Sequence, residues 1–151
     1  MKKFLALTFL VLAVSVTGAF AQRNVTPAID RDPLMELDAK HNLDVAWQAY
    51  APAKKAYKQI LSRFEETFAA YPDFSKIDEF LYLAGMSSYY LSDNKGKQKV
   101  DLKLEKEKDK FTPAKLRENA VAYLSLLVEK HADSRYVDDA KKTLELLKAE
   151  K

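Results

Sequence analysis

Two stretches of the chain match each other at a shift of 60 residues without a gap. Lys55 pairs with Lys115, Ile60 with Ala120, Phe64 with Leu124 and Phe68 with Val128. The register continues through Asp73 and Asp133, Ile77 and Val137, Asp78 and Asp138. Each unit reads as a helix, a short acidic turn with a capping residue, and a second helix. Such a unit cannot bury its apolar faces alone, so duplicated units stack side by side. Glycine usage agrees with a helical chain: beyond residue 21 only Gly85 and Gly96 occur. A β-rich domain needs more turn glycines, and Ala, Leu, Lys and Glu fill the long uninterrupted stretches instead. The expectation is an all-α fold of about five helices.

Local signals place the helices. Asp32-Pro33 reads as an N-cap followed by proline at the first helical position, opening a helix to about Ala51. Its apolar marks are Leu34, Leu37, Leu43, Val45, Ala46, Trp47 and Tyr50. Pro52 ends it, because a proline inside a helix costs roughly 3 kcal/mol. Residues 53–71 form the clearest amphipathic segment, with Ala53, Ala56, Tyr57, Ile60, Leu61, Phe64, Phe68 and Tyr71 at spacings of three and four. Ser75 and Asp78 resemble a capping box for a third helix. That helix is apolar on nearly every side, which predicts a central position. Gly85 in its middle costs roughly 1 kcal/mol relative to alanine, which predicts close approach of a neighbouring backbone. Residues 93–111 crowd seven lysines and five acids around Val100, Leu102, Leu104 and Phe111. They read as a charged spacer, either a solvated loop, a mobile linker or a frayed helical extension, with a solvated face favoured over a docking site. Thr112-Pro113 restarts helical order over 113–131, and Ser134 caps a last helix bearing Tyr136, Val137, Ala140, Leu144 and Leu147.

The first residues carry an address. Lys2 and Lys3 precede an apolar run from Phe4 to Val16, and the small-residue site Ala19-Phe20-Ala21 precedes Gln22. This is the order of a cleavable secretory signal, with cleavage between Ala21 and Gln22. A spanning helix needs roughly 20 predominantly apolar residues, and the stretch from Phe4 to Ala21 falls short of that and is softened by Thr8, Ser15, Thr17 and Gly18. Residues 22–31 then form a flexible leader, and 32–151 a single domain. The chain holds no cysteine. That removes a lipid anchor on cysteine, a disulfide staple and a thiolate metal site. The 25 Lys+Arg stand against 22 Asp+Glu, and two of the lysines lie in the signal. The remainder is nearly neutral and highly charged, which speaks against a polyanion binder and so against nucleic acid.

The turns carry a family resemblance. Tyr71-Pro72-Asp73, followed by Asp78-Glu79-Phe80-Leu81-Tyr82-Leu83-Ala84-Gly85-Met86-Ser87-Ser88-Tyr89-Tyr90, resembles the junction of two tetratricopeptide repeats. The run from His131 to Ala140 (HADSRYVDDA) is similar to the YPDSxYxxDA junction of the BamD-type outer-membrane assembly proteins and related periplasmic repeat proteins. The resemblance covers about residues 52–150. Three departures stand beside it: the missing lipid-bearing cysteine, His131-Ala132 in place of Tyr-Pro, and the spacer 93–111. It implies antiparallel helix hairpins stacked into a short right-handed solenoid. It also implies a periplasmic or secreted protein that binds an envelope protein or peptide, in outer-membrane or envelope assembly. Gly85 would be the small residue where paired helices touch. Glu79, Tyr82, Met86, Tyr89 and Tyr90 would line the concave, partner-binding side.

Spacing supports that face separately, since Tyr82, Met86, Tyr89 and Tyr90 fall at i, i+4, i+7 and i+8. Tyrosine offers apolar area with a hydroxyl, which suits a peptide groove. The same stripe also suits packing against the first helix. A second reading is a periplasmic bundle holding a small apolar ligand among Trp47, Tyr82, Tyr89 and Tyr90. Enzymatic chemistry finds no purchase. His41 and His131, the two histidines, lie in different segments, and no Gly-rich phosphate loop exists. Glu65-Glu66 and Asp138-Asp139 are adjacent pairs that share no helix face. No catalytic residue, metal ligand or cofactor site is expected.

Overall fold

The computed structural model describes residues 31–149. The signal, its cleavage residues Ala21 and Gln22, and the leader up to residue 30 lie outside them. Six helices and no strand occur among the described residues: α1 (Pro33–Tyr50), α2 (Tyr57–Ala70), α3 (Ile77–Ser92), α4 (Glu105–Lys108), α5 (Pro113–Lys130) and α6 (Val137–Ala149). None of them is long and apolar enough to cross a membrane. Arg31, assigned to the loose leader by sequence, is tied down: its Nε donates to the Asp73 carbonyl at 3.0 Å.

The caps explain where α1 and α5 begin. The Asp32 carboxylate accepts the Leu34 N–H at 2.8 Å, and the Thr112 hydroxyl accepts the Lys115 N–H at 3.3 Å. Proline follows each cap at the first helical position, where its missing N–H costs nothing. The buried stripe of α1 is Ala39, Leu43, Ala46 and Ala49, small residues that let α1 lie close to its neighbours. Leu34 and Leu37, expected on that stripe, are 74% and 64% exposed.

Two boundaries differ from the expectation. The helix predicted from residue 53 begins at Tyr57. Residues 51–56 form a turn in which the Ala56 N–H reaches back to the Ala49 carbonyl at 2.9 Å and Lys55 takes a φ of +44°. Nor do Ser75 and Asp78 form a capping box. The first helical position of α3 is Ile77, its N-cap Lys76 makes no side-chain capping bond, and the Ser75 N–H donates to the Glu36 carboxylate of α1 at 3.2 Å. Asp78 instead accepts the Ser134 hydroxyl at 2.7 Å. Ser134 therefore joins the two turns, and lies three residues ahead of α6 rather than at its N-cap.

The duplication is written in the backbone of those turns. The Tyr71 N–H bonds the Thr67 carbonyl as His131 bonds Leu127, at 2.7 and 2.9 Å. Phe74 bonds Tyr71 as Ser134 bonds His131, at 3.3 and 2.9 Å. Ile77 bonds Phe74 as Val137 bonds Ser134, at 3.1 and 3.2 Å. The buried positions repeat in step: Ile60 with Ala120, Phe64 with Leu124, Phe80 with Ala140.

Helix α3 is central. It packs on α1, α2, α5 and α6, most extensively on α5. Helices α1, α3 and α6 form a row with α3 in the middle; α2 bridges α1 and α3, and α5 bridges α3 and α6. Phe64, Phe80, Leu83 and Leu124 are almost fully buried in the core between them. Each such side chain contributes about 1.5–3 kcal/mol by leaving water. The α3–α5 approach runs over Gly85, where an added Cβ would lie 2.6 Å from both Cγ and Cδ2 of Leu124. The close neighbour is thus a packed side chain, not the neighbouring backbone that the glycine suggested.

The charged spacer folds back over α2. The Lys97 N–H donates to the Lys55 carbonyl at 3.2 Å, and Lys58 pairs with Glu107 of α4 at 2.7 Å. Lys110 pairs with Glu65 of α2, and Phe111 is buried beneath the Lys58 and Lys110 ammonium groups. The segment is more than a solvated face, because Glu107 and Lys110 pair with residues 49 and 45 positions earlier.

Candidate functional site

The five residues singled out by sequence all lie on α3, along the side that runs between α1 and α6. They do not share one environment. Met86 is buried, and its sulfur receives the Thr143 hydroxyl of α6 at 3.4 Å. Glu79 is engaged from three directions. The Trp47 indole N–H of α1 donates to its carboxylate at 3.1 Å and the Tyr136 hydroxyl at 3.4 Å. Lys76 and Arg135 each stand 3.5 Å away. Glu79 therefore staples α1, α3 and the entry to α6. Tyr82, Tyr89 and Tyr90 are half-buried, and Tyr82 and Tyr90 pack against the core.

The flanks of this face are aromatic. Tyr82 stacks on Tyr136 with ring centres 4.5 Å apart, and Tyr136 also meets Trp47 at 5.9 Å. Trp47 and Tyr136 thus close the face at its Glu79 end, and elsewhere α1 and α6 do not pack on one another. The face opens toward Tyr89 and Tyr90. There Lys95 lies 5.7 Å from the Tyr89 ring centre, and Tyr90 faces Tyr57 at 5.4 Å. Trp47 and Tyr82 are joined through Tyr136 rather than separated by a cavity.

The Tyr50, Tyr82 and Tyr136 phenols stay neutral across the physiological range. Burial pushes the Tyr82 hydroxyl up, and the neighbouring Asp139 charge adds to it. Burial and the adjacent Tyr90 raise Tyr50 far more. Tyr136 is raised by burial, against the opposing hydrogen bond from Arg135 at 2.6 Å. The face therefore offers ring surface and hydroxyls, with Glu79 at one end, Asp139 beside Tyr82 and Lys95 at the other end. Among the described residues no group of His, Asp and Glu side chains is placed to hold a metal ion.

No family model, curated protein or solved structure matches this chain.

Sequence reasoning passed over Tyr50, Tyr57, Tyr136 and Lys95 as site residues. Tyr136 had a usable signal: the 60-residue shift sets it against Lys76, one turn before the Glu79 position. Lys95 had none, since the turn that brings it beside Tyr89 depends on the fold of 93–97.

Proposed function

We propose that the chain is an exported protein–protein interaction module of the bacterial cell envelope. In this reading its helix pairs are tetratricopeptide-like hairpins, stacked as a short right-handed solenoid. It takes an extended segment of an envelope protein, in outer-membrane or envelope assembly, along the α3 face between α1 and α6. One observation carries the reading: three half-buried tyrosines share a side of a central helix, framed by aromatic residues from both flanks. Rings held by a packed scaffold give large contact area at little entropic cost. The repeated turn bonds and the α1–α3–α6 row support the hairpin part of the proposal, and the Lys-rich start with Ala19-Phe20-Ala21 supports export.

The test is recovery of a partner from envelope extracts with the wild-type protein and with Tyr82→Ala/Tyr89→Ala, each shown by circular dichroism to be folded. A partner held by wild type and lost by the double variant is expected. Equal recovery by both proteins refutes the groove. Export is tested by the N-terminus of the mature form, expected at Gln22; a mature chain keeping Met1 overturns it.

A further inference from the structure

The near-neutral balance of the chain hides an uneven distribution. Residues 53–58 and 93–111 carry ten lysines and five acids, while the other described residues carry 11 Lys+Arg against 15 Asp+Glu. Contacts gather the two basic stretches at one corner. The Lys97 N–H donates to the Lys55 carbonyl at 3.2 Å, the Lys58 ammonium group donates to the Lys99 carbonyl, and Lys58 pairs with Glu107 at 2.7 Å.

Local carboxylates do not cancel this charge. Glu107 serves Lys58, Asp93 lies 2.9 Å from Lys95, and Glu105 lies 4.0 Å from Lys108. Lys54, Lys55, Lys97, Lys99, Lys103 and Lys106 are all exposed. None of the six has a carboxylate within ion-pair distance among the described residues. Lys99 donates to the Asn94 carbonyl at 2.7 Å, which leaves its charge in place. Of the five acids, Asp101 and Asp109 remain to face these six cations.

The same corner shows apolar surface. Leu102 and Leu104 flank Lys103 and are 45% and 53% exposed. The exposed Leu34 and Leu37 of α1 have acids for neighbours instead: Asp32, Glu36 and Asp38. Cations alone would suit any polyanion. Leucines among cations suit a phase that is anionic at its surface and apolar just beneath, because apolar burial and electrostatic attraction then add. Single-stranded nucleic acid would need exposed rings for its bases to stack on, and the aromatic residues of this corner, Tyr57 and Phe111, are buried.

We propose that this corner docks the protein on an anionic phospholipid bilayer, with Leu102 and Leu104 entering the headgroup boundary and the surrounding lysines meeting lipid phosphates. Surface docking of this kind needs no spanning helix, and it does not depend on the peptide groove along α3.

The test uses the full chain, whose lack of cysteine lets one introduced thiol carry a polarity-sensitive nitrobenzoxadiazole dye. The dye is placed at Leu104→Cys, with Leu37→Cys as control. Vesicles of phosphatidylglycerol and phosphatidylcholine in equal parts are expected to brighten and blue-shift the dye at 104 and to leave it unchanged at 37. Phosphatidylcholine vesicles alone should change neither. Both labelled chains share residues 1–21, so binding by that segment does not separate them. Lys97→Gln/Lys103→Gln/Lys106→Gln should raise the vesicle concentration needed for the response at 104 about a hundredfold, and Leu102→Ser about fivefold. Equal responses at 104 and 37, an equal response to neutral vesicles, or an unaltered response in the triple lysine variant overturns the proposal. An equal response at 104 to soluble polyphosphate also overturns it, in favour of a general polyanion site. Because the vesicles hold no protein, failure here leaves the Tyr82/Tyr89 result standing, and the reverse also holds.

Discussion

Gly85 holds its place in α3 because Leu124 fills the space where a side chain would start. Two effects oppose each other at this position. Alanine favours the helix by roughly 1 kcal/mol over glycine, while overpacking a closed core costs about 1–3 kcal/mol. Leu124 is fully buried and its Cγ as well as its Cδ2 lies in the way, so it cannot simply swing aside. Gly85→Ala is expected to destabilise by about 1 kcal/mol in urea unfolding. Leu124→Ala should cost about 2–5 kcal/mol, and in its background Gly85→Ala should turn stabilising. Destabilisation by Gly85→Ala of the same size in both backgrounds would show that Leu124 is not the obstacle. Sequence identified the need for a small residue here, but not its cause, since the obstructing atom is 39 residues away.

The helix starts separate into those set locally and those set by distant contacts. Asp32 and Thr112 act on amides two or three residues on, and both were readable from sequence. Ser75 and Asp78 carry the same local pattern, yet Asp78 is spent on Ser134, 56 residues later. Thr112→Ala is therefore expected to cost about 1 kcal/mol and Ser75→Ala less than about 0.5 kcal/mol, measured as shifts in the urea midpoint. The start of α2 failed for a related reason: Ala53, Lys54 and Lys55 favour helix, but the docking of Lys97 on Lys55 holds a turn there. The spacer 93–111 hid its structure because its partners, Lys58 and Glu65, lie on α2. Its hold depends on pH with a definite sign. Lys58, and then the Asp101 N–H, keep the Glu107 carboxyl below its ordinary range. The stabilisation is thus complete above the unfolded carboxylate value and lost as pH falls through the lower folded value. Hydrogen exchange at the Asp101 amide, which Glu107 accepts at 2.8 Å, should quicken below that point. In Glu107→Gln, exchange at that amide, corrected for its intrinsic rate, should already be fast at neutral pH and keep no such step.

At the scale of the molecule, a central helix packs on four neighbours and leaves part of one side between α1 and α6 in water. Phe80, Leu83 and Gly85 face the core, and Tyr82, Tyr89 and Tyr90 keep part of their rings in water. Which way that stripe turned was open in the sequence, because 3.6-residue periodicity fixes a shared side and not its neighbours. Residue by residue, Met86 is packed, Glu79 is bonded, and the tyrosines are half-buried, Tyr82 against Tyr136 and Tyr90 against Tyr57. The central claim is that a partner lies along this side. Its most direct measurement is photo-crosslinking in envelope extracts from a benzoylphenylalanine placed at Tyr89, with the same group at the exposed Ala122 of α5 as control. The account predicts a partner adduct from position 89 and none from 122; an adduct from 122, with 89 silent, would contradict it.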